Sequence, residues 1–369
     1  MTTQPQADRP LLSDELATRS VEIILSGQTP GGAFIAGPTF SQYRYAWLRD
    51  GAFIAEALDL VGQTTAAARF HYWVAGVVLA ATDGIERSIR AASSGALPAP
   101  KDYLHCRYEA DGSPGPDDWP TFQLDGPGIW LWSLAHHARH GGSLDERHHA
   151  AARLTARYVA ALWALPSYDA WEEWPEHVHT STGGAILAGL RAFPGLVPGP
   201  HDPAIAAARS ALEERLVGPQ GPYGKWDGSD AVDGSLLWLV APYGLVEPDH
   251  PAFAATLQRI ETELVSPDGG VHRYAADTYY GGGEWLLLTA ALGRVYLRRG
   301  APGDRERAIS ALRWIEAQAH ADGSLPEQVA TRALHPQRID EWRVLWGESA
   351  CPLLWSHATY LALLAELSR

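Results

Sequence analysis

The feature that most constrains this chain is a helical period that recurs along almost its whole length. Apolar residues return at i, i+3, i+4 and i+7, and the strict alternation typical of a half-buried strand is almost missing. This pattern predicts an all-α fold of about twelve helices. The predicted helices span residues 11–27, 50–62, 64–93, 126–140, 144–165, 179–193, 202–216, 230–242, 250–265, 282–299, 303–320 and 352–367.

Helices of similar length, joined by loops of alternating length, predict stacked helical hairpins. About six such pairs close into an (α/α)6 barrel, and an open helical solenoid is the alternative, although no repeat of fixed period is found. No linker divides the chain, so residues 1–369 are predicted to form one catalytic domain, with 1–10 a flexible N-terminus. Loops on a rigid scaffold usually carry the chemistry, so we expect the site at the loop-rich end. The longest irregular stretches are 94–125, 217–229, 266–281 and 321–351.

Composition narrows the class of partner. The formal net charge of −14 argues against nucleic acid, anionic membranes and strongly anionic substrates. The chain also has 15 tryptophans, several beside carboxylates. Flat aromatic faces pack on the C–H faces of a sugar ring and carboxylates accept its hydroxyls, so a cleft for a small neutral saccharide is expected. Examples are Trp47 beside Arg49–Asp50, Trp119 beside Asp117–Asp118, and Trp171 and Trp174 around Glu172–Glu173.

The remaining bulk features concern location and assembly. The N-terminus has no basic segment followed by an apolar one, and no apolar run reaches the length of a membrane span, so the cytoplasm is the expected location. Two free thiols, Cys106 and Cys351, are favoured over one disulfide bond. We expect a monomer or a weak homo-oligomer.

The segment 43–51 is the first candidate for chemistry. Arg49 and Asp50 beside Tyr43 and Trp47 form a hydrogen-bonding clamp suited to a flat polar ligand. The alternative is that Asp50 is only the N-cap of the helix that begins here.

The segment 168–174 is the second candidate, because Glu172 and Glu173 are flanked by Trp171 and Trp174. An apolar or carboxylate-rich neighbourhood, here including Asp169, favours a carboxyl group that keeps its proton near neutral pH. The alternative is a solvated acidic loop.

The segment 322–328 is by itself weak evidence of a function. Its Glu327, however, supplies the second carboxylate that a glycosidase requires. The two glutamates are 155 positions apart (327 − 172), so only a closed fold brings them together. The glycine-rich run after Arg273 lacks the Lys-Ser/Thr tail of a phosphate loop.

Histidine pairs and serine motifs bear on metal binding and on ester hydrolysis. His177 and His179, and His136 and His140, have metal-compatible spacings, but a loop and a last helical turn explain them as well. No serine lies in a Gly-x-Ser-x-Gly elbow, which disfavours an esterase. No metal or organic cofactor is expected.

Six ordered motifs, YRYAWLRDG, WPTFQLDGPG, YDAWEEW, RYAADTYYGGGEW, GSLPEQ and LLWSHATYLALL, resemble those of glycoside hydrolase family 15, the glucoamylase family. The resemblance covers about residues 40–367. It implies an (α/α)6 barrel and hydrolysis with inversion, with Glu172 as general acid and Glu327 as general base. It also implies that Arg49 and Asp50 grip the terminal glucose. The other residues that it implies are Trp119, Glu173 and Arg273 as pocket lining and sugar contacts, Tyr43 and Trp47 as an aromatic wall, and Trp171 packed against the acid.

Two departures from the family bear on the substrate. Fungal members have an arginine where this chain has Thr121, and many bacterial and archaeal members carry an N-terminal β-sandwich domain for which this chain has no room. A barrel-only form resembles the intracellular isomaltose glucohydrolases, which favours short α-1,6-linked substrates. A trehalase, a maltose-preferring glucoamylase, a carbohydrate-binding α-barrel protein and a phosphorylase are the alternatives. Inversion needs the two carboxyls roughly 6.5–9.5 Å apart, with Glu172 protonated and Glu327 ionised.

Overall fold

The computed structural model describes residues 13–116, 119–218 and 221–369, so the expected flexible segment 1–10 and the pair Asp117–Asp118 lie outside the described residues. Helices dominate the described chain, as the sequence predicts. They are α1 (Ser13–Ser26), α2 (Leu48–Leu60), α3 (Thr64–Ala80), α4 (Thr82–Ser93), α5 (Asp125–Arg139), α6 (Glu146–Leu162), α7 (Thr180–Leu196), α8 (Pro203–Val217), α9 (Pro251–Glu263), α10 (Leu286–Arg299), α11 (Asp304–Glu316), α12 (Ile339–Trp346) and α13 (Leu354–Leu367).

Six elements close into an inner ring. Each of α2, α5, α7, the 3-10 segment Gly234–Leu239, α10 and α13 contacts the next in that order, and α13 contacts α2. A second layer surrounds the ring: α1 packs on α13, α3 on α2, α6 on α5 and α7, α8 on α7, α9 on the 3-10 segment, and α11 on α10. This arrangement is the predicted (α/α)6 barrel. Closure of the ring rules out the open solenoid.

Three predictions of secondary structure are wrong for local reasons. The helix predicted over 230–242 is only the 3-10 segment Gly234–Leu239, which Asp233 caps and after which Pro242 prevents an α-helix. The helix predicted over 64–93 breaks at Ala81, where the Thr82 hydroxyl donates to the Leu79 carbonyl. The stretch predicted to be irregular over 321–351 contains α12.

Two small sheets hold the loops at one end of the barrel. Strands β1 (Ala46–Trp47) and β2 (Arg107–Tyr108) pair antiparallel, with Trp47 opposite Arg107. Strands β3 (Val271–His272), β4 (Glu284–Trp285) and β5 (Gln328–Val329) form an antiparallel sheet in the order β3-β4-β5. Helices α2 and α10 begin directly after β1 and β4. The loops therefore gather at the N-terminal ends of the inner helices, where helix dipoles favour negative groups.

The described helices share one large apolar core. One large cluster of buried apolar side chains fills the space between the helix layers. Cys106 and Cys351 are both free thiols, as predicted. In the described residues no helix is long and apolar enough to span a membrane.

Candidate active site

A cavity of about 300 Å³ opens at the loop-rich end of the barrel. All ten residues that the sequence analysis selected line it, although they come from five separate segments. They are Tyr43, Trp47, Arg49, Asp50, Trp119, Trp171, Glu172, Glu173, Arg273 and Glu327. The closed fold thus brings Glu172 and Glu327 to the wall of the same cavity.

Glu172 lies in a strained turn and is held by nitrogen donors. Its φ of 68° is in the left-handed region, which costs free energy for a residue other than glycine. The indole N–H groups of Trp47 and Trp119 donate to its two oxygens, each over 2.7 Å. Gln123 Nε2 donates over 3.0 Å, and Arg49 Nη2 lies 3.5 Å away. These contacts fix the carboxyl group at the cavity wall.

The acidic neighbours of Glu172 point elsewhere, so the expected crowding of carboxylates around it is wrong. Asp169 Oδ1 accepts the backbone N–H groups of Trp171 and Glu173, over 2.9 and 3.0 Å. Glu173 accepts from Arg273 Nη2 over 3.2 Å and from the Tyr274 hydroxyl over 2.5 Å. Each carboxylate already has its own partners, and each stabilises the turn rather than crowding the acid.

A buried lysine anchors this turn to the next loop. Lys225 Nζ lies 2.8 Å from Asp169 Oδ2 and 2.5 Å from Asp233 Oδ2. Asp233 also accepts the indole N–H of Trp171 over 3.1 Å. The two aspartates raise the pKa of Lys225 despite its burial, so the ammonium stays charged. The strained backbone at Glu172 is therefore held by three buried charges.

We expect Lys225→Met to cost about 3–5 kcal/mol of folding free energy, because Asp169 and Asp233 remain buried without their cation. The family resemblance implies that Glu172 is catalytic, so we also expect kcat/KM for an α-glucoside to fall at least about tenfold at a temperature where the variant is folded, because small displacements of a catalytic group are costly. Circular dichroism gives the folded fraction, and initial rates give kcat/KM.

Arg294→Met is the matched control for Lys225→Met. Arg294 is as buried as Lys225, with 3% of each side chain exposed, and it pairs with Glu56 and Glu366 between inner helices. Its loss carries the same kind of folding penalty, but its partners lie on α2 and α13, whereas Asp169 and Asp233 hold the turn at Glu172. Equal losses of kcat/KM in the two variants, after correction for folded fraction, would show that Lys225 acts only on stability.

Glu327 is buried beside two tyrosines. Its loop is pinned because Gln328 pairs with Trp285 across the β4–β5 ladder and accepts the Gly283 N–H over 3.0 Å. The hydroxyls of Tyr43 and Tyr279 are 2.8 Å apart, and burial raises the pKa of both. Burial raises the pKa of Glu327 to about 7, although hydrogen bonds from Tyr43 and Gln328 and the charge of Arg273 oppose the rise. The expected ionised form of Glu327 therefore prevails only above about pH 7.

Arg49 and Asp50 form the cationic and anionic halves of one wall. Asp50 is the third residue of α2 and Trp47 occupies the N-cap position, so the N-cap interpretation of Asp50 is wrong. Arg49 Nη1 donates to Gln123 over 2.8 Å and to Asp125 over 3.1 Å. Burial raises the pKa of Asp50 to about 6, with Arg49 acting in the opposite direction. Arg49 Nε lies 3.6 Å from Asp50 Oδ2, and neither atom has a hydrogen-bond partner among the described residues.

Arg273 also lines the cavity. Its guanidinium donates to Asp277 over 2.7 and 2.5 Å, and lies 5.4 Å from the ring of Trp171 and 5.2 Å from that of Trp285. Bidentate pairing with Asp277 fixes the plane of the Arg273 guanidinium. The two tryptophan rings lie within cation–π distance of it.

Several residues of the site were missed by sequence reasoning. Gln123, Tyr279 and Trp355 lie inside motifs that were recognised, but a motif does not say which of its side chains turn inward. Trp342 and Trp346 come from α12, which the periodicity did not reveal because it is one short element in an irregular stretch. The lining residues not selected are Ala36, Phe40, Gln42, Pro120, Ala170, Tyr279, Trp285, Trp342, Trp346, Leu353 and Trp355.

The two histidine pairs lie outside this cavity. His177 stacks on Trp226 with ring centroids 4.1 Å apart, and His179 Nε2 contacts the Trp174 carbonyl over 2.9 Å. His136 and His140 stack at 4.0 Å at the C-terminal end of α5. Ring stacking and a carbonyl contact give both pairs structural partners.

Comparisons with known proteins agree on one family. The profile of glycosyl hydrolases family 15 matches residues 13–350. An isomaltose glucohydrolase of Kribbella flavida is 46% identical over 361 residues, which are 96% of this chain and 92% of that protein. A trehalase of Sulfolobus acidocaldarius is 26% identical over 81% of this chain and 56% of its own length. A solved glycosidase variant in complex with glucose has 44% identity and a TM-score of 0.91, covering 96% of this chain and 97% of that one.

Proposed function

The chain belongs to glycosyl hydrolases family 15 and is a glycoside hydrolase, and we propose that it releases β-glucose from the non-reducing end of short α-1,6-linked glucosides by inversion. The observation that carries the proposal is the pair of glutamates, 155 positions apart in sequence (327 − 172), in one aromatic-lined cavity. Family membership sets aside the non-enzymatic carbohydrate-binding protein.

The two glutamates take different roles in the proposed mechanism. Glu172 protonates the glycosidic oxygen as the leaving sugar departs, and Glu327 removes a proton from the water that attacks the anomeric carbon. Glu327 Oε2 is buried without a hydrogen-bond partner among the described residues, so it has a lone pair to offer that water. Trp47 and Trp119 hold the acid in place, while Tyr43 supports the base.

The remaining walls position the sugar. The carboxylate of Asp50 offers acceptors, and the guanidinium groups of Arg49 and Arg273 offer donors, to hydroxyl groups of the terminal ring. Trp171, Trp285 and Trp355 offer apolar faces to the C–H groups of the ring. A volume of about 300 Å³ lies at the small end of ligand cavities, which suits a short substrate entering by one end.

The preference for an α-1,6 linkage rests on likeness to a relative. The glucohydrolase of Kribbella flavida is named for isomaltose and matches nearly the whole chain, whereas the trehalases match at lower identity. We propose the same substrate for this chain, acting as one domain, as a monomer or weak homo-oligomer. The cytoplasm is the proposed location, because both cysteines are free thiols.

Glucose release from equal concentrations of isomaltose, maltose, nigerose, panose and trehalose tests the substrate assignment. We expect the highest kcat/KM on isomaltose. A higher value on trehalose would replace the assignment with that of a trehalase, and a higher value on maltose with that of a glucoamylase.

The raised pKa of Glu327 predicts an unusual acid limb in the pH profile. Only the ionised carboxyl accepts a proton from water, so activity falls as the pH drops through the pKa of about 7. We expect kcat/KM for isomaltose to fall about tenfold per pH unit below that point. Initial rates between pH 4 and 9 measure it, and a midpoint near the usual glutamate value of 4.5 would contradict the buried state of the base.

A further inference from the structure

A second polar cluster lies in the core, away from the cavity. Asp59 from α2, His71 from α3 and His137 from α5 each offer one ligand-type atom within 4.8 Å of the other two. All three side chains are buried, and His71 exposes none of its surface. Asp59 follows Asp50 by nine positions on the same helix, which places the cluster about 14 Å further along the barrel. It is therefore separate from the catalytic end.

The unusual member of this cluster is His71. Both ring nitrogens are buried without a hydrogen-bond partner among the described residues. Buried polar atoms in native proteins are nearly always paired, because an unpaired one costs free energy. His136 Nδ1 also lacks a hydrogen-bond partner among the described residues, and it lies 3.8 Å from Asp59 Oδ2. Two imidazoles with nitrogens that make no hydrogen bond thus border one carboxylate.

The third imidazole already contacts that carboxylate. His137 Nδ1 lies 2.9 Å from one oxygen of Asp59 and 3.1 Å from the other. Two ligands of one tetrahedral zinc ion, each about 2.0–2.1 Å from the metal, are about 3.3 Å apart. The contact between Asp59 and His137 is close to this spacing, and His71 offers a third ligand-type atom within 4.8 Å of the other two.

We propose that Asp59, His71 and His137 form a structural site for a divalent transition-metal ion of the Zn²⁺ class. Imidazole nitrogen and carboxylate oxygen together suit zinc, whereas Ca²⁺ and Mg²⁺ prefer all-oxygen shells. The bound ion neutralises Asp59 and ties α2, α3 and α5 together, with His136 the nearest donor for a fourth position. The site is independent of the proposed glucosidase activity.

Metal content of the full chain tests the proposal. The purified protein is incubated with ZnCl₂, desalted and measured by inductively coupled plasma mass spectrometry, and a second sample is loaded with Co²⁺. We expect about one zinc per chain, the intense visible bands of four-coordinate cobalt, and a lower Tm after chelation. Less than a tenth of an equivalent of zinc, with a weak octahedral cobalt spectrum, would overturn the site.

Two histidine variants separate this site from adventitious binding. His71→Asn should lose the retained zinc, whereas His177→Asn, which removes one imidazole of the pair His177 and His179, should keep it. Retention by His71→Asn, or loss by His177→Asn alone, assigns the ion to another place and overturns the proposal. Should His71→Asn fail to fold, the zinc content and cobalt spectrum of the unaltered chain decide the question. Hydrolysis is not the readout, so failure here leaves the proposed function untouched.

Discussion

Glu327→Gln is expected to lower kcat for isomaltose by about 10²–10⁴-fold while KM changes little. The amide keeps the shape of the side chain but cannot accept a proton from the attacking water. Because Asp50, Arg49 and Arg273 are unaltered, the substrate still binds. The measurement is steady-state kinetics with titration calorimetry for binding. Turnover within tenfold of the unaltered enzyme would remove Glu327 from the role of base.

The thermal stability of Glu327→Gln at two pH values controls for a folding defect. The pKa of Glu327 rises from 4.5 to about 7 on folding, and each pKa unit corresponds to about 1.4 kcal/mol, so its ionised form costs the fold about 3 kcal/mol. As the pH rises, the carboxyl of Glu327 ionises first in the unfolded chain. The free energy of unfolding of the unaltered protein therefore falls by this amount between about pH 4.5 and 7. Glutamine avoids ionisation, so the variant should have the higher Tm at pH 8 and no advantage at pH 4. A lower Tm at pH 8 would point to a packing defect instead.

Glu172→Gln is expected to lower kcat for isomaltose by a similar factor of about 10²–10⁴, but for a different reason. Cleavage of a sugar–sugar bond needs a proton on the leaving oxygen, and the amide has none to give. In α-glucosyl fluoride the leaving group is the fluoride ion, which departs with far less help from an acid. We therefore expect Glu172→Gln to retain most of its activity on the fluoride, within about tenfold of the unaltered enzyme.

The two glutamate variants control for each other on the pair of substrates. Glu327→Gln should be slow on both, because both reactions need an activated water. Equal losses for Glu172→Gln on isomaltose and on the fluoride would contradict its role as the acid. A milder effect of Glu327→Gln on the fluoride than on isomaltose would exchange the two assignments.

The barrel and the lining of the cavity could be predicted from the sequence because both leave local signals. A period of 3.6 residues marks each amphipathic helix, and six motifs in order mark the loops that meet at one end. All ten selected residues therefore lie at the cavity, from Tyr43 in one loop to Glu327 in another. The 3-10 segment Gly234–Leu239 was missed because apolar periodicity does not distinguish a short inner segment from an α-helix.

The partners of the catalytic side chains could not be predicted because they meet only through space. Asp169 is close to Glu172 in sequence, yet its carboxylate turns to Lys225 in a later loop. Gln123 reaches Glu172 across 49 positions. The pKa of Glu327 depends on its burial, which is a property of the assembled barrel and not of its motif. Local sequence predicts which groups reach the cavity, whereas their protonation depends on what surrounds them there.

We propose that Glu172 and Glu327 act on opposite sides of one anomeric carbon with a water between them. Proton NMR during the first minutes of isomaltose hydrolysis, before mutarotation, distinguishes this arrangement from a double displacement. A single displacement predicts that the new glucose appears first as the β-anomer. Initial appearance of α-glucose would contradict the mechanism, because a retained configuration requires two displacements through a covalent intermediate.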